Sequence, residues 1–104
     1  QTGSVETFVA TAYCRCRVCC GKSDGITASG KLATIGRTVA MNGLPFGQRV
    51  RINGKVYVVE DRGAVSHFGS RKNPKKRVDI FVSDHSTALK FGRQKVNVEV
   101  LGNT

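Results

Sequence analysis

The chain contains no tryptophan, and only 7% of its 104 residues are aromatic. Base recognition by stacking needs exposed rings, so this scarcity argues against that mode of nucleic-acid binding. Acids are scarce as well: seven, against 17 lysines and arginines, for a formal charge of +10. No apolar run reaches the ~18 residues of a membrane span, which leaves no membrane crossing to expect. The opening "QTGSVETF" has neither the basic end nor the ~7 to 15 apolar residues of a signal peptide. Repeats, linkers, low-complexity tracts and helix-turn-helix or zinc-finger signatures are all missing. At this length, with 39% hydrophobic residues, residues 1–104 read as a single domain around one modest core.

The positive charge is spread along the chain, with one dense run, "RKNPKKR" at 71–77. Charge of this kind attracts polyanions in general. Nucleic acid, teichoic acid and a peptidoglycan wall with free carboxylates all satisfy it.

Short β-rich segments separated by glycine turns make up most of the chain. Strands are expected at 5–12, 37–41, 48–52, 55–61, 77–82 and 95–101, with a hairpin turn at Asn53 and Gly54 between the third and fourth. One segment, 83–92, reads as a helix: Ser83 as N-cap, Asp84 in the first turn, Ala88, Leu89 and Phe91 on the apolar side, Gly92 as the stop. Six short strands with one short helix before the last predict a mainly β chain closed into a small barrel, since closure removes strand edges.

Of the seven acids, Glu60 and Asp61 end a strand at "VVEDRG", and Asp79 lies mid-strand in "RVDIFV". Alternation puts Val78 and Ile80 on the face opposite Asp79. Two readings stand: Asp79 faces water beside Arg77 and Phe81, or Asp79 and Asp61, from adjacent strands, sit at the mouth of a groove. A carboxyl pair of the second kind suits glycosidic cleavage, in which an acid of raised pKa protonates the leaving oxygen.

The stretches "TAYCRCRVCCGKSDGITASGK", "TVAMNGLPFGQRVRI", "YVVEDRG" and "RVDIFVSDHSTALKFGRQKVNVEVL" together resemble the three-aspartate (Asp-Asp-Asp) domain family of bacterial and phage muralytic enzymes, whose barrel is similar to that of membrane-bound lytic transglycosylase A. The resemblance covers nearly the whole chain and rests on the order and spacing of several motifs. It implies a six-stranded double-psi β-barrel and lytic cleavage of peptidoglycan between N-acetylmuramic acid and N-acetylglucosamine. Carried over residue by residue, it makes Asp79 the catalytic acid and base and Asp61 its partner. It also puts Thr27, Ser29, Lys31, Asn42 and Gly63 along the substrate cleft. The family's first aspartate falls on Asn42, an amide that carries no charge. The stretch between Asp61 and Asp79 is longer than usual for the family and reads as an inserted basic loop beside the cleft, or as a solvated loop tip. Taken alone, 25–30 also reads as a glycine-bounded turn with no ligand role.

Cys14, Cys16, Cys19 and Cys20 follow the pattern C-x-C-x-x-C-C. Ligands this crowded are hard to aim at one zinc ion. The competing account is two disulfides, joining 14 with 19 and 16 with 20, or 14 with 20 and 16 with 19. An exported wall enzyme favours the disulfides, so no metal and no cofactor is expected. His67 and His85 are read as solvated. The expected partner is the peptidoglycan glycan strand, without specific nucleic acid, and the expected protein is a monomer, secreted, in the cell envelope, or delivered to the wall by a phage. A non-catalytic or expansin-like wall-binding module is the alternative function.

Overall fold

A computed structural model describes residues 5–14, 26–63, 65–70 and 72–101. The strands are β1 (Val5–Tyr13), β2 (Thr38–Ala40), β3 (Arg49–Ile52), β4 (Lys55–Asp61), β5 (Arg77–Phe81) and β6 (Gln94–Val100). Among the described residues two short helices interrupt them, α1 (Val65–Phe68) and α2 (His85–Phe91). The strands close into a mixed barrel in the order β1-β5-β2-β4-β3-β6. Two pairings are parallel, β1 with β5 and β2 with β4; the others are antiparallel.

Alternation along each strand sends one set of side chains inward. Ala10, Val39, Val50, Ile52, Val59, Val78, Ile80, Val96 and Val98 meet there with Met41 as the core, and Phe8, Tyr57 and Phe91 pack against it. The interior is filled mostly by β-branched residues, which suit a pleated surface and fit a barrel of this size. Asn53 and Gly54 both take positive φ, 49° and 87°, at the two-residue turn between β3 and β4. That backbone twist matches the strands on either side and accounts for the Asn-Gly pair.

Two expectations for the helices need correction. The N-cap of α2 is Asp84, not Ser83: the Asp84 carboxylate accepts from the Thr87 backbone N–H at 2.7 Å, and its backbone is extended. Leu89, expected on the apolar side, is 68% exposed, and Ala88 alone of the helix is buried. The second helix, α1, falls in what read as a loop. Its single turn is too short to show a periodic pattern, and it exists to seat Phe68, which is buried.

The loop from β4 into α1 is held by Asn42. The Asn42 amide nitrogen donates to the carbonyls of Gly63 (2.9 Å) and Gly69 (2.7 Å), and its oxygen accepts from the Gly63 N–H at 2.8 Å. A Cβ on Gly63 would overlap the ring of Phe68. Gly63→Ala is therefore expected to destabilise the fold by about 1 to 3 kcal/mol through overpacking. Thermal denaturation checks this, and an unchanged midpoint contradicts the packing.

Candidate active site

The chemistry-bearing residues collect on the outer face of the barrel. Register aligns Thr11 of β1 with Asp79 of β5, Asp79 with Ala40 of β2, and Ala40 with Asp61 of β4. Thr11, Asp79, Ala40 and Asp61 thus form one row across four strands. Asp79 and Asp61 are not on adjacent strands, as the sequence suggested, because β2 runs between them. Two strand spacings, about 10 Å, separate their backbones. Between them stands a single methyl group, that of Ala40.

Asp61 reaches this face through a bulge. Val39 pairs with Val59 but Ala40 pairs with Asp61, so Glu60 is an extra residue in β4. With unbroken alternation Asp61 would share the inward face of Val59 and oppose Met41, a core residue. Bulges re-aim side chains in this manner. The displaced Glu60 is buried, accepting from Thr38 Oγ1 at 2.7 Å and from Arg37 Nε at 3.2 Å. Pairing with Arg37 compensates a carboxylate that would otherwise be costly to bury.

The two aspartates have different surroundings. Asp61 accepts three hydrogen bonds: Oδ1 from the backbone N–H groups of Ala28 (2.9 Å) and Arg62 (2.8 Å), Oδ2 from the Tyr13 hydroxyl (3.1 Å). Asp79 accepts one, on Oδ1 from Thr11 Oγ1 at 3.1 Å. Asp79 is half-buried, beside a small outer cluster of Tyr13, Ala40 and Phe81 in which the two rings meet edge to face at 5.4 Å. Burial pushes the Asp79 carboxyl up to about 6. The Thr11 hydrogen bond and the Arg77 charge oppose that rise, and the Asp61 charge adds to it. Arg77 stands over the ring of Phe68, its guanidinium carbon 5.3 Å from the ring centre. The buried Nε of Arg77 meets no acceptor among the described residues. Asp79 faces outward beside Phe81, as alternation requires, but it is half-buried rather than open to water, next to the cluster of Tyr13, Ala40 and Phe81.

The segment 26–32 folds over the end of β4 as a miniature hairpin. Ile26 bridges Leu32, the Thr27 N–H donates to the Lys31 carbonyl at 2.8 Å, and Gly30 turns the chain with a φ of 88°. Ala28 N–H to Asp61 and Ser29 N–H to the Glu60 carbonyl (3.2 Å) fasten its tip to the strand. Thr27 is buried, and its hydroxyl is shared between Ser29 Oγ and the Lys31 carbonyl, both at 2.8 Å. Ser29 is half-buried and Lys31 exposed. The structure therefore sets the hairpin of Thr27, Ser29 and Lys31 against Asp61, at the β4 end of the row that holds Asp79. Asn42 and Gly63 stand behind them, satisfied by each other. Asn42 is 5% exposed, and an aspartate there would set a carboxylate against two carbonyls.

Sequence reasoning missed Thr11, Tyr13 and Ala40, and had Arg77 only as the neighbour of Asp79 along its strand. The signal for the first two lay in "TAY", where positions two apart share a strand face. Cys14 is buried at the end of β1. Cys16, Cys19 and Cys20, with the expectation of paired disulfides, lie outside the described residues. In the basic stretch, Gly69 bridges Pro74 and the Lys75 N–H returns to the Phe68 carbonyl at 2.8 Å, so this loop folds back on α1 with its lysines exposed. An open depression on another side of the barrel, lined by Arg51, Asn53, Asn97 and Glu99, holds neither aspartate. Among the described residues no helix is long and apolar enough to cross a membrane. No family model and no curated protein matches the chain.

Asp79 holds its proton more tightly in the folded chain than in the unfolded one. The folded state is thus favoured at low pH, and that advantage is lost as pH rises from the ordinary aspartate value through about 6. Asp79→Asn keeps the shape without the charge. It is expected to raise stability at pH 7.5 by on the order of 1 to 3 kcal/mol and to change little at pH 4. Denaturant unfolding at the two pH values measures this, and equal effects at both contradict the burial of the charge.

Proposed function

We propose that the chain belongs to the three-aspartate family and is a lytic transglycosylase, cleaving peptidoglycan between N-acetylmuramic acid and N-acetylglucosamine. On this reading the barrel is of the double-psi type. Its closed six-stranded form with two parallel pairings supports that assignment. The observation that carries the reading is the Asp79 carboxyl: half-buried, raised to about 6, and aligned across Ala40 with a second aspartate.

In lytic cleavage a single acid serves twice. Protonated Asp79 gives its proton to the glycosidic oxygen as the bond to the anomeric carbon breaks. The resulting carboxylate takes the proton from the 6-hydroxyl of the muramic acid, whose oxygen closes on that carbon to give the 1,6-anhydro product. Asp79 ends protonated, as it began. A pKa near the working pH serves an acid that must give and recover a proton. Asp61 holds the 26–32 hairpin through the Ala28 N–H and, fixed by Arg62 and Tyr13 as well, supplies a neighbouring carboxyl. Ser29 and Lys31 contact the sugar strand, supported from behind by Thr27, Asn42 and Gly63. The wall is then the partner, the charge of +10 suits its anionic groups, and the working location is outside the cell membrane.

A second reading, a wall-binding or expansin-like module without catalysis, is favoured by one observation. Asn42 replaces the family's first aspartate and Asp61 is fully engaged, so Asp79 alone has an oxygen to spare. Mass spectrometry of soluble products from purified sacculi separates the two. Anhydromuropeptides from the parent protein, lost in Asp79→Asn by at least about 100-fold, are the expected outcome. Products with reducing ends mean hydrolysis. No products, with sedimentation onto sacculi intact, means the binding module.

A further inference from the structure

We propose that Thr11 is the positioning residue of Asp79, fixing its carboxyl so that Oδ2 rather than Oδ1 carries the working proton. This rests on Asp79 being the acid of the proposed reaction. The parallel register of β1 and β5 sets Thr11 directly beside Asp79, and its hydroxyl donates to Oδ1 at 3.1 Å. Among the described residues no donor meets Oδ2. An oxygen that already receives a hydrogen bond is the better carbonyl, so a protonated carboxyl in this contact puts its O–H on the other oxygen.

The same strand makes a second contact of this kind. Tyr13, two residues on and on the same outer face, donates to Oδ2 of Asp61 at 3.1 Å. β1 thus holds both carboxyls with hydroxyls spaced as a strand requires. Threonine suits the first position because its branched Cβ limits the rotamers open to the hydroxyl. The charged groups that act on Asp79 are Arg77 on its own strand and Asp61 on β4. β1 brings the hydroxyls of Thr11 and Tyr13, β2 the methyl of Ala40, and neither strand adds a charge to the row.

Valine has the shape of threonine without the donor, and serine has the donor without the methyl. The test is a carbon-13 NMR titration of the Asp79 carboxyl in the parent, Thr11→Val and Thr11→Ser, alongside the pH profile of muropeptide release from sacculi. The lost hydrogen bond favours the charged form, so its removal raises the midpoint, by up to about one pH unit in Thr11→Val. The descending alkaline side of the activity profile moves up with it, and turnover at the optimum falls about 3- to 10-fold. Thr11→Ser restores both. A merely structural threonine is replaced by valine without moving the titration, so an unmoved Asp79 midpoint in folded Thr11→Val overturns the proposal. The titration needs no substrate: a parent protein that releases nothing from sacculi contradicts the lytic reading, whereas the midpoint alone judges the Thr11 contact.

Discussion

The extra residue that β4 carries opposite β2 decides which way Asp61 faces. In unbroken pairing Glu60 would oppose Ala40, and Asp61 would turn toward Met41 and the valines of the core. A carboxylate there has no partner to offset its desolvation, and several kcal/mol of stability would be lost. With the bulge in place, Asp61 joins the row of Thr11, Asp79 and Ala40, and its oxygens become the anchor for Ala28 and the 26–32 hairpin. The alignment of the aspartates and the wall beside them both follow from one irregularity in one strand pair.

The row is asymmetric. Asp61 is held by three donors; Asp79 has one, and lies where burial opposes its charge. Two carboxyls separated by about two strand spacings cannot share a proton directly. Their difference comes from local surroundings rather than mutual repulsion, consistent with Asp61 being the smallest of the influences on Asp79. Burial on this face raises the Asp79 carboxyl toward neutral pH.

Where period-2 alternation dominates, the architecture was legible before any coordinates. Val96 and Val98, Val78 and Ile80, and the Asn53-Gly54 turn all sit as their pattern requires. The strands that carry the two aspartates were legible, but their arrangement was not. Strand order is not written in the spacing of strands, so β2 between β4 and β5 went unseen. The bulge was equally hidden, because "VVED" alternates no differently with it or without it. The role of Asn42 was legible only as a departure. That its amide clamps Gly63 and Gly69 depends on a residue 27 positions further on, beyond β3, β4 and α1, folding back to it, which no local pattern encodes. Thr11 and Tyr13 carried a signal that chemistry-led reading passes over, since hydroxyls on a strand usually meet water.

The central claim is that the row on the outer face of β1, β5, β2 and β4 is where a glycan strand binds. NMR shift mapping of the Asp79→Asn variant with a purified muropeptide tetrasaccharide tests it most directly, because the variant holds the ligand without consuming it. The expected result is perturbation centred on Thr11, position 79, Ala40, Asp61 and the hairpin carrying Ser29 and Lys31. Perturbation confined to the opposite depression around Arg51 and Asn97, or none at millimolar ligand, would contradict the account.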